Sequence, residues 1–207
     1  MDLAEVQFDA DGLVPVVVQD ARSGQVLTLA YANREALEKT LQTRQSTFWS
    51  RSRNELWVKG LTSGHTQEVL EVVLDCDQDA VLYKVVPHGP ACHTGAESCF
   101  HHRLTASYDP PALGEVLEKI YATIQQRIGS LPEGSYVAKM HLAGLDRILK
   151  KIGEEASEVI IAAKNPDLSE LKWEAADLVF HLLLALAERG IAPNDLAQTL
   201  WSRHKPE

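Results

Sequence analysis

The 207-residue sequence predicts an α+β N-terminal domain, mostly antiparallel strands with one main helix, followed by an all-α helical-bundle C-terminal domain. Three observations carry this. Short β-rich runs recur up to about residue 100, apolar residues fall three and four apart after residue 113, and Pro110-Pro111 interrupts regular structure between the two patterns. The expected bounds are 1–106 for the first domain, 105–113 for a linker and 112–207 for the second domain.

The strand candidates, in order, are VPVVVQD, QVLTLAY, STFWSRS, ELWVKG, TQEVLEVVLD and AVLYKVV. Turn-forming segments such as ARSG, RSRN and LTSG separate them. One helix interrupts the series. NREALEKTLQT begins with a capping Asn33, spaces Leu37 and Leu41 four apart and is rich in helix formers. In the second half Leu113, Leu117, Ile120, Ile124 and Ile128 form one apolar stripe, and further helices are expected over 142–164, 168–188 and from Pro193 onward.

Composition narrows the function classes. A net charge of −9 argues against nucleic-acid binding, which draws most of its affinity from Lys and Arg on phosphates. The longest apolar run, LLLALA, is too short to cross a bilayer. The acidic start, MDLAEVQFDADG, resembles neither a secretory signal nor a transit peptide, so a reducing, cytoplasmic setting is expected. In that setting three cysteines point to metal or catalysis more than to disulfides.

All three cysteines lie in DCDQDAVLYKVVPHGPACHTGAESCF, residues 75–100. If 74–79 is extended, Asp75, Asp77 and Asp79 face one way and Cys76 the other, so one strand end serves two kinds of cation. Carboxylates suit a hard ion such as Mg²⁺, and thiolates a softer one such as Zn²⁺. A solvated acidic turn and buried free cysteines are the plainer alternatives; their coincidence in one segment favours metal. Cys76, Cys92 and Cys99 leave a tetrahedral ion one ligand short, to be filled by water or by His88, His93, His101 or His102. His93 alternatively stands as a general base near the metal. Upstream, FWSRSRNELWVKG carries Trp49, Arg51, Arg53, Trp57 and Lys59. These form either a hairpin with core tryptophans and a wet charged face, or a pocket that stacks a purine and holds phosphate.

The series GLVPVVVQD, LAYANREAL, WSRSRNELWVKG, TSG, DCDQD and GPACHTGAESCF resembles phosphoribosyl-AMP cyclohydrolase of histidine biosynthesis, over residues 12 to about 100. The resemblance implies Mg²⁺ on Asp75, Asp77 and Asp79, and Zn²⁺ on Cys76, Cys92 and Cys99, shared between the subunits of a homodimer. It also implies opening of the adenine ring of phosphoribosyl-AMP by water. The residues themselves supply a mechanism in which zinc-activated water attacks adenine C6, His93 assists proton transfer and Arg51 and Lys59 hold phosphate, with Trp49 and Arg53 also expected at the substrate. One departure is Leu61, where the family usually has glutamate in KGETSG.

The helical half holds KIGEEASEVIIAAKNPDLSELKWEAADLVFH. Glu155 and Glu158 are three apart, as are Glu174 and Asp177, so each pair shares a helix face. Counted outward from the NPD turn, Glu158 lies level with Glu174 and Glu155 with Asp177. An antiparallel hairpin therefore sets four carboxylates face to face, an arrangement that calls for cations; the alternative, a solvated acidic face, is weakened by the apolar Val159, Ile160, Leu178 and Val179 that flank these positions. With SYVAKM, KKIGEEASE and EAADLVFH, this half resembles the phosphoribosyl-ATP pyrophosphohydrolases, a branch of the all-α nucleotide pyrophosphohydrolases. By resemblance Glu154, Glu155, Glu158, Glu174 and Asp177 hold or surround Mg²⁺ and a carboxylate such as Glu155 or Glu158 orients the attacking water; Lys139, Lys150 and Lys151 either neutralise phosphate oxygens or are simply solvated. His181, one turn beyond Asp177, either supports the metal ligands or is merely packed, the latter being preferred. Jointly the two likenesses imply a bifunctional enzyme in which the helical domain's product is the other domain's substrate.

Overall fold

The computed structural model describes residues 3–102, 104–105 and 112–204. They fall into two compact units, 1–115 and 116–207. Most of the expected linker, including Pro110 and Pro111, lies outside the described residues.

The first unit is a four-stranded sheet in the order β2-β1-β6-β5, made of β1 Val14–Asp20, β2 Val26–Ala32, β5 Gln67–Leu74 and β6 Val81–Pro87, with a separate hairpin of β3 Thr47–Ser50 and β4 Glu55–Val58. Strands β1 and β6 pair in parallel, and the other pairings are antiparallel. In the inner strand β1, Val14, Val16 and Val18 are all fully buried, as a period of two requires when one face covers a core. Helix α1, Arg34–Thr43, opens where the Asn33 side chain accepts a hydrogen bond from the Ala36 N–H at 2.8 Å, and ends at Arg44 in the left-handed region. It buries Ala36 and Leu37 in a core that also contains Phe48, Val69, Tyr83 and Val85. Tyr83 is fully buried and donates to the Thr40 hydroxyl at 3.2 Å. Burial raises its phenol to about 12, with the Thr40 hydrogen bond opposing.

The second unit is all helical: α2 Leu113–Ser130, which starts three residues before the unit's bound, α3 Tyr136–Ala143, α4 Leu145–Ala162, α5 Leu168–Glu188 and α6 Pro193–Arg203. Its core gathers Tyr121, Ile124, Val137, Met140, Ile148, Leu183 and Leu184. The helix expected over 142–164 is instead two elements. Gly144 stands at φ 88°, outside right-handed helical geometry, so α3 ends at Ala143 and α4 begins at Leu145. Helix α3 itself, with Ser135 as its N-cap, was not expected as a separate element. The NPD turn behaves as read: Asp167 caps α5 by accepting from the Ser169 N–H at 2.9 Å. Among the described residues no helix is long and apolar enough to cross a membrane.

Candidate active sites

The loop after β6 folds back on itself. Cys92 N–H donates to the Ala96 carbonyl at 3.0 Å, and Cys99 N–H donates to the Leu27 carbonyl of β2 at 2.8 Å. Ser98 Oγ donates to the Val26 carbonyl at 2.8 Å, which pins the same segment to the sheet edge. Cys92 and Cys99 are thereby brought into side-chain contact, although seven positions separate them. The Thr94 hydroxyl donates to Cys92 Sγ at 3.1 Å and, with the Thr94 backbone, pulls that thiol below its ordinary pKa. Cys99, though exposed on the chain's surface, is shifted the other way by partial desolvation against its neighbours. The two thiols therefore differ in readiness to ionise.

Both cysteines line a cavity of 480 Å³ together with Lys59, His65, His93 and Trp57. Lys59 is 6% exposed, so desolvation holds its ammonium below the usual lysine value while the two thiols oppose that shift. His93 is exposed, and its Nδ1 lies 3.9 Å from Cys92 Sγ. The Gly60–Gly64 turn contributes Thr62 and Ser63. Gly60 is required there, because a Cβ would sit 2.5 Å from the His65 and Thr66 backbone. Sequence reasoning missed Thr62, Ser63, His65 and Thr94 as individual residues. The one available signal was the pair of glycines bracketing LTS directly before His65.

Trp49, Arg51 and Arg53 line a neighbouring depression that shares Trp57 with the first. The expected core position of the tryptophans is not what is found. Phe48 fills the core, Trp49 is half-buried, and Trp57 is 37% exposed with its ring 5.4 Å from Phe48. Arg51 lies over the Tyr31 ring at 3.8 Å, a cation–π contact, and Arg53 pairs with Glu55 at 3.1 Å. Leu61 is 80% exposed and does not line the cavity.

Asp75, Asp77 and Asp79 do converge, with one oxygen of each within 4.8 Å of the others, but not on an extended strand. β5 ends at Leu74, and residues 75–80 form the turn into β6. There Asp75 Oδ1 accepts from the Ala80 N–H at 3.0 Å, and Gln78 takes a positive φ. Crowded by Asp77, the Asp79 carboxyl is raised. Cys76 is exposed at this turn, its Sγ 3.9 Å from Asp77 Oδ1. It precedes β6 while Cys92 and Cys99 follow it, and it does not line their cavity.

In the helical unit Glu155, Glu158 and Glu174 offer oxygens within 4.8 Å of one another. They sit on the facing helices α4 and α5, on either side of the Asp167-capped turn. Asp177 is exposed and is not part of that trio. Glu155 is 4% exposed and meets Lys151 Nζ at 2.6 Å, which holds its carboxyl low; Glu158, hydrogen-bonded to Glu155, is raised. Lys151 also reaches Glu154 at 3.1 Å, and Lys150 lies 3.8 Å from the same carboxylate. Lys139 is exposed on α3. His181 is more than packed. It is 4% exposed, with Nδ1 2.9 Å from the Asp177 carbonyl and 3.7 Å from Glu155 Oε1, and Nε2 2.8 Å from the Tyr136 hydroxyl.

Each half also matches a family model, residues 28–101 that of phosphoribosyl-AMP cyclohydrolase and residues 117–204 that of phosphoribosyl-ATP pyrophosphohydrolase. Among its relatives, the histidine biosynthesis bifunctional protein HisIE of Thermus thermophilus is 69% identical over 206 residues, covering 100% of this chain and 95% of the relative. The protein of the same name from Deinococcus radiodurans is 59% identical, covering 98% and 93%. That of Bacillus subtilis is 52% identical, covering 97% and 95%. With both models matched in order and such relatives aligned over nearly their whole length, the chain belongs to the HisIE-type family of bifunctional phosphoribosyl-AMP cyclohydrolase/phosphoribosyl-ATP pyrophosphohydrolases, hydrolases of histidine biosynthesis.

Proposed function

We propose that the helical unit cleaves phosphoribosyl-ATP to phosphoribosyl-AMP and pyrophosphate, and that the sheet unit then opens the adenine ring of phosphoribosyl-AMP. The observation that carries this reading is the division of donor chemistry between the units. A buried-to-exposed glutamate trio stands in one, and a thiol pair beside a lysine and a histidine in a cavity of 480 Å³ stands in the other.

In the helical unit the three gathered carboxylates suit a hard divalent cation, for which Mg²⁺ is the natural choice. When bound, such an ion neutralises triphosphate charge and favours attack by water. Glu155 and Glu174 would hold it from opposite helices, with Glu154 and Asp177 at the margin. Glu158, exposed at the edge of the trio and hydrogen-bonded to Glu155, is placed to take the proton from the attacking water. Lys151, already beside two carboxylates, orients Glu155; Lys139 and Lys150 face solvent, where phosphate oxygens arrive.

In the sheet unit the donor set fits zinc only in part within one chain. Cys92 and Cys99 are together, and Cys76 is at the other end of β6. A homodimer in which a second copy supplies Cys76 completes the set, and Asp75, Asp77 and Asp79 of the same turn would carry Mg²⁺. Zinc at such a site supplies Lewis acidity to a bound water. Three thiolates make that site anionic, and the buried Lys59 ammonium offsets the charge. His93, exposed and lining the cavity, would accept a proton there. Arg51 and Arg53 hold the phosphate, while Trp49 and Trp57 wall the base.

The deciding experiment supplies phosphoribosyl-ATP with Mg²⁺ and Zn²⁺ and follows the products by mass. Pyrophosphate and phosphoribosyl-AMP should appear first, then a species heavier than phosphoribosyl-AMP by one water. Pyrophosphate release with no hydrated product, even from supplied phosphoribosyl-AMP, would reduce the chain to a pyrophosphohydrolase with an inactive first unit.

A further inference from the structure

Helix α2 places Lys119, Thr123 and Arg127 at successive steps of four, which puts them on one helix face. All three are exposed and line a groove of 280 Å³ whose apolar wall includes Ile124, Val137 and Phe180. The Thr123 hydroxyl donates to the Lys119 carbonyl at 2.9 Å, so it lies along the helix between the two cations. Nothing in the proposed chemistry uses this groove.

Its location ties it to the carboxylate site. The Phe180 ring is 5.4 Å from the His181 ring and 6.2 Å from the Tyr136 ring, and His181 in turn lies 3.7 Å from Glu155. The groove wall and the backing of the acidic trio are therefore one continuous packing. Phosphoribosyl-ATP carries negative charge at two ends, a triphosphate and a ribose 5-phosphate attached to the adenine. The glutamate trio with its cation serves only the first. On a chain of net charge −9, a second phosphate is repelled unless cations meet it locally, and a guanidinium is suited to phosphate through paired N–H donors.

We infer that the Lys119–Arg127 groove is the subsite for the ribose 5-phosphate end of phosphoribosyl-ATP, and that it separates this substrate from nucleoside triphosphates lacking that group. The inference rests on the reading of the helical unit as the phosphoribosyl-ATP hydrolase.

The test uses the full chain with Mg²⁺ and measures pyrophosphate release from phosphoribosyl-ATP for wild type, Arg127→Gln and Arg127→Lys, with ribose 5-phosphate as a competing probe. Arg127→Gln should raise KM about tenfold or more, the scale of a lost charge-assisted hydrogen bond, with kcat within about twofold. Arg127→Lys should retain most of the affinity. Ribose 5-phosphate should compete with substrate in wild type and lose that effect in Arg127→Gln. Ring opening of supplied phosphoribosyl-AMP serves as the folding control and should not change. An unchanged KM, a fall in kcat alone, or equal inhibition of wild type and variant by ribose 5-phosphate would each overturn the subsite. If wild type itself releases no pyrophosphate from phosphoribosyl-ATP, the underlying reading fails instead.

Discussion

The Tyr136 hydroxyl lies 2.8 Å from Nε2 of the buried His181, joining the first turn of α3 to the middle of α5. The direction of this bond follows from the other nitrogen. Nδ1 faces the Asp177 carbonyl at 2.9 Å, and a carbonyl can only accept, so in the neutral ring Nε2 accepts and Tyr136 donates. The ring edge that faces Glu155 is thereby held in one orientation.

Tyr136→Phe should leave the fold intact and cost about 1–2 kcal/mol, because a buried ring nitrogen loses its partner. Amide hydrogen exchange reads this locally: protection should fall in α3 and around His181, and stay unchanged in the strands of the first unit. Uniform loss over both units would mean that the bond has no local role.

Glu158→Gln and Cys92→Ala should separate the two activities. The first should lower pyrophosphate release at least about a hundredfold and spare ring opening of supplied phosphoribosyl-AMP; the second should do the reverse. Loss of both activities in either folded variant would contradict two independent sites.

Tyr83 gives an alkaline limit to stability. Its phenol is raised to about 12 in the folded chain against an ordinary value of 10.0, so between those values the unfolded chain loses the proton first. Stability from this group is complete below about pH 10 and falls as pH rises toward 12, by at most about 2–3 kcal/mol. In denaturant unfolding, wild type should therefore lose more stability than Tyr83→Phe over that interval. Parallel curves would show that Tyr83 ionises alike in both states.

Leu61→Glu restores the residue usual in the family at this position. Because Leu61 is 80% exposed and outside the cavity, the added charge is solvated, and kcat/KM for ring opening should change by no more than about twofold. A tenfold gain would show that the side chain reaches the substrate in the assembled enzyme.

Much of this fold is legible in the sequence. The alternation of Val14, Val16 and Val18, the Asn33 cap and the apolar steps from Leu117 to Ile128 are local signals, readable because strand and helix periods act over a few residues. The segments DCDQD, CHTGAESC and EEASE stand out for the same reason: their acidic and thiol side chains lie close together in the chain.

Other features depend on contacts between residues distant in sequence. Asp75, Asp77 and Asp79 gather through a turn rather than a strand, because the pairing of β5 with β6 forces the chain to reverse there. Helix α3 parts from α4 because Gly144 adopts a positive φ, which composition leaves optional. Phe48 rather than a tryptophan is fully buried: Trp49 is on the other face of the same strand, and Trp57, opposite Phe48 in the hairpin, stays partly exposed. Sequence by itself determined which candidate donor side chains this protein carries and where along the chain they cluster. Only the tertiary structure decided that Cys92 meets Cys99 but not Cys76, that Glu155 is buried against Lys151 and His181, and that two cations of α2 border the packing behind the acidic trio. Burial and long-range register are properties of the whole packed chain, and no window of neighbouring residues contains them.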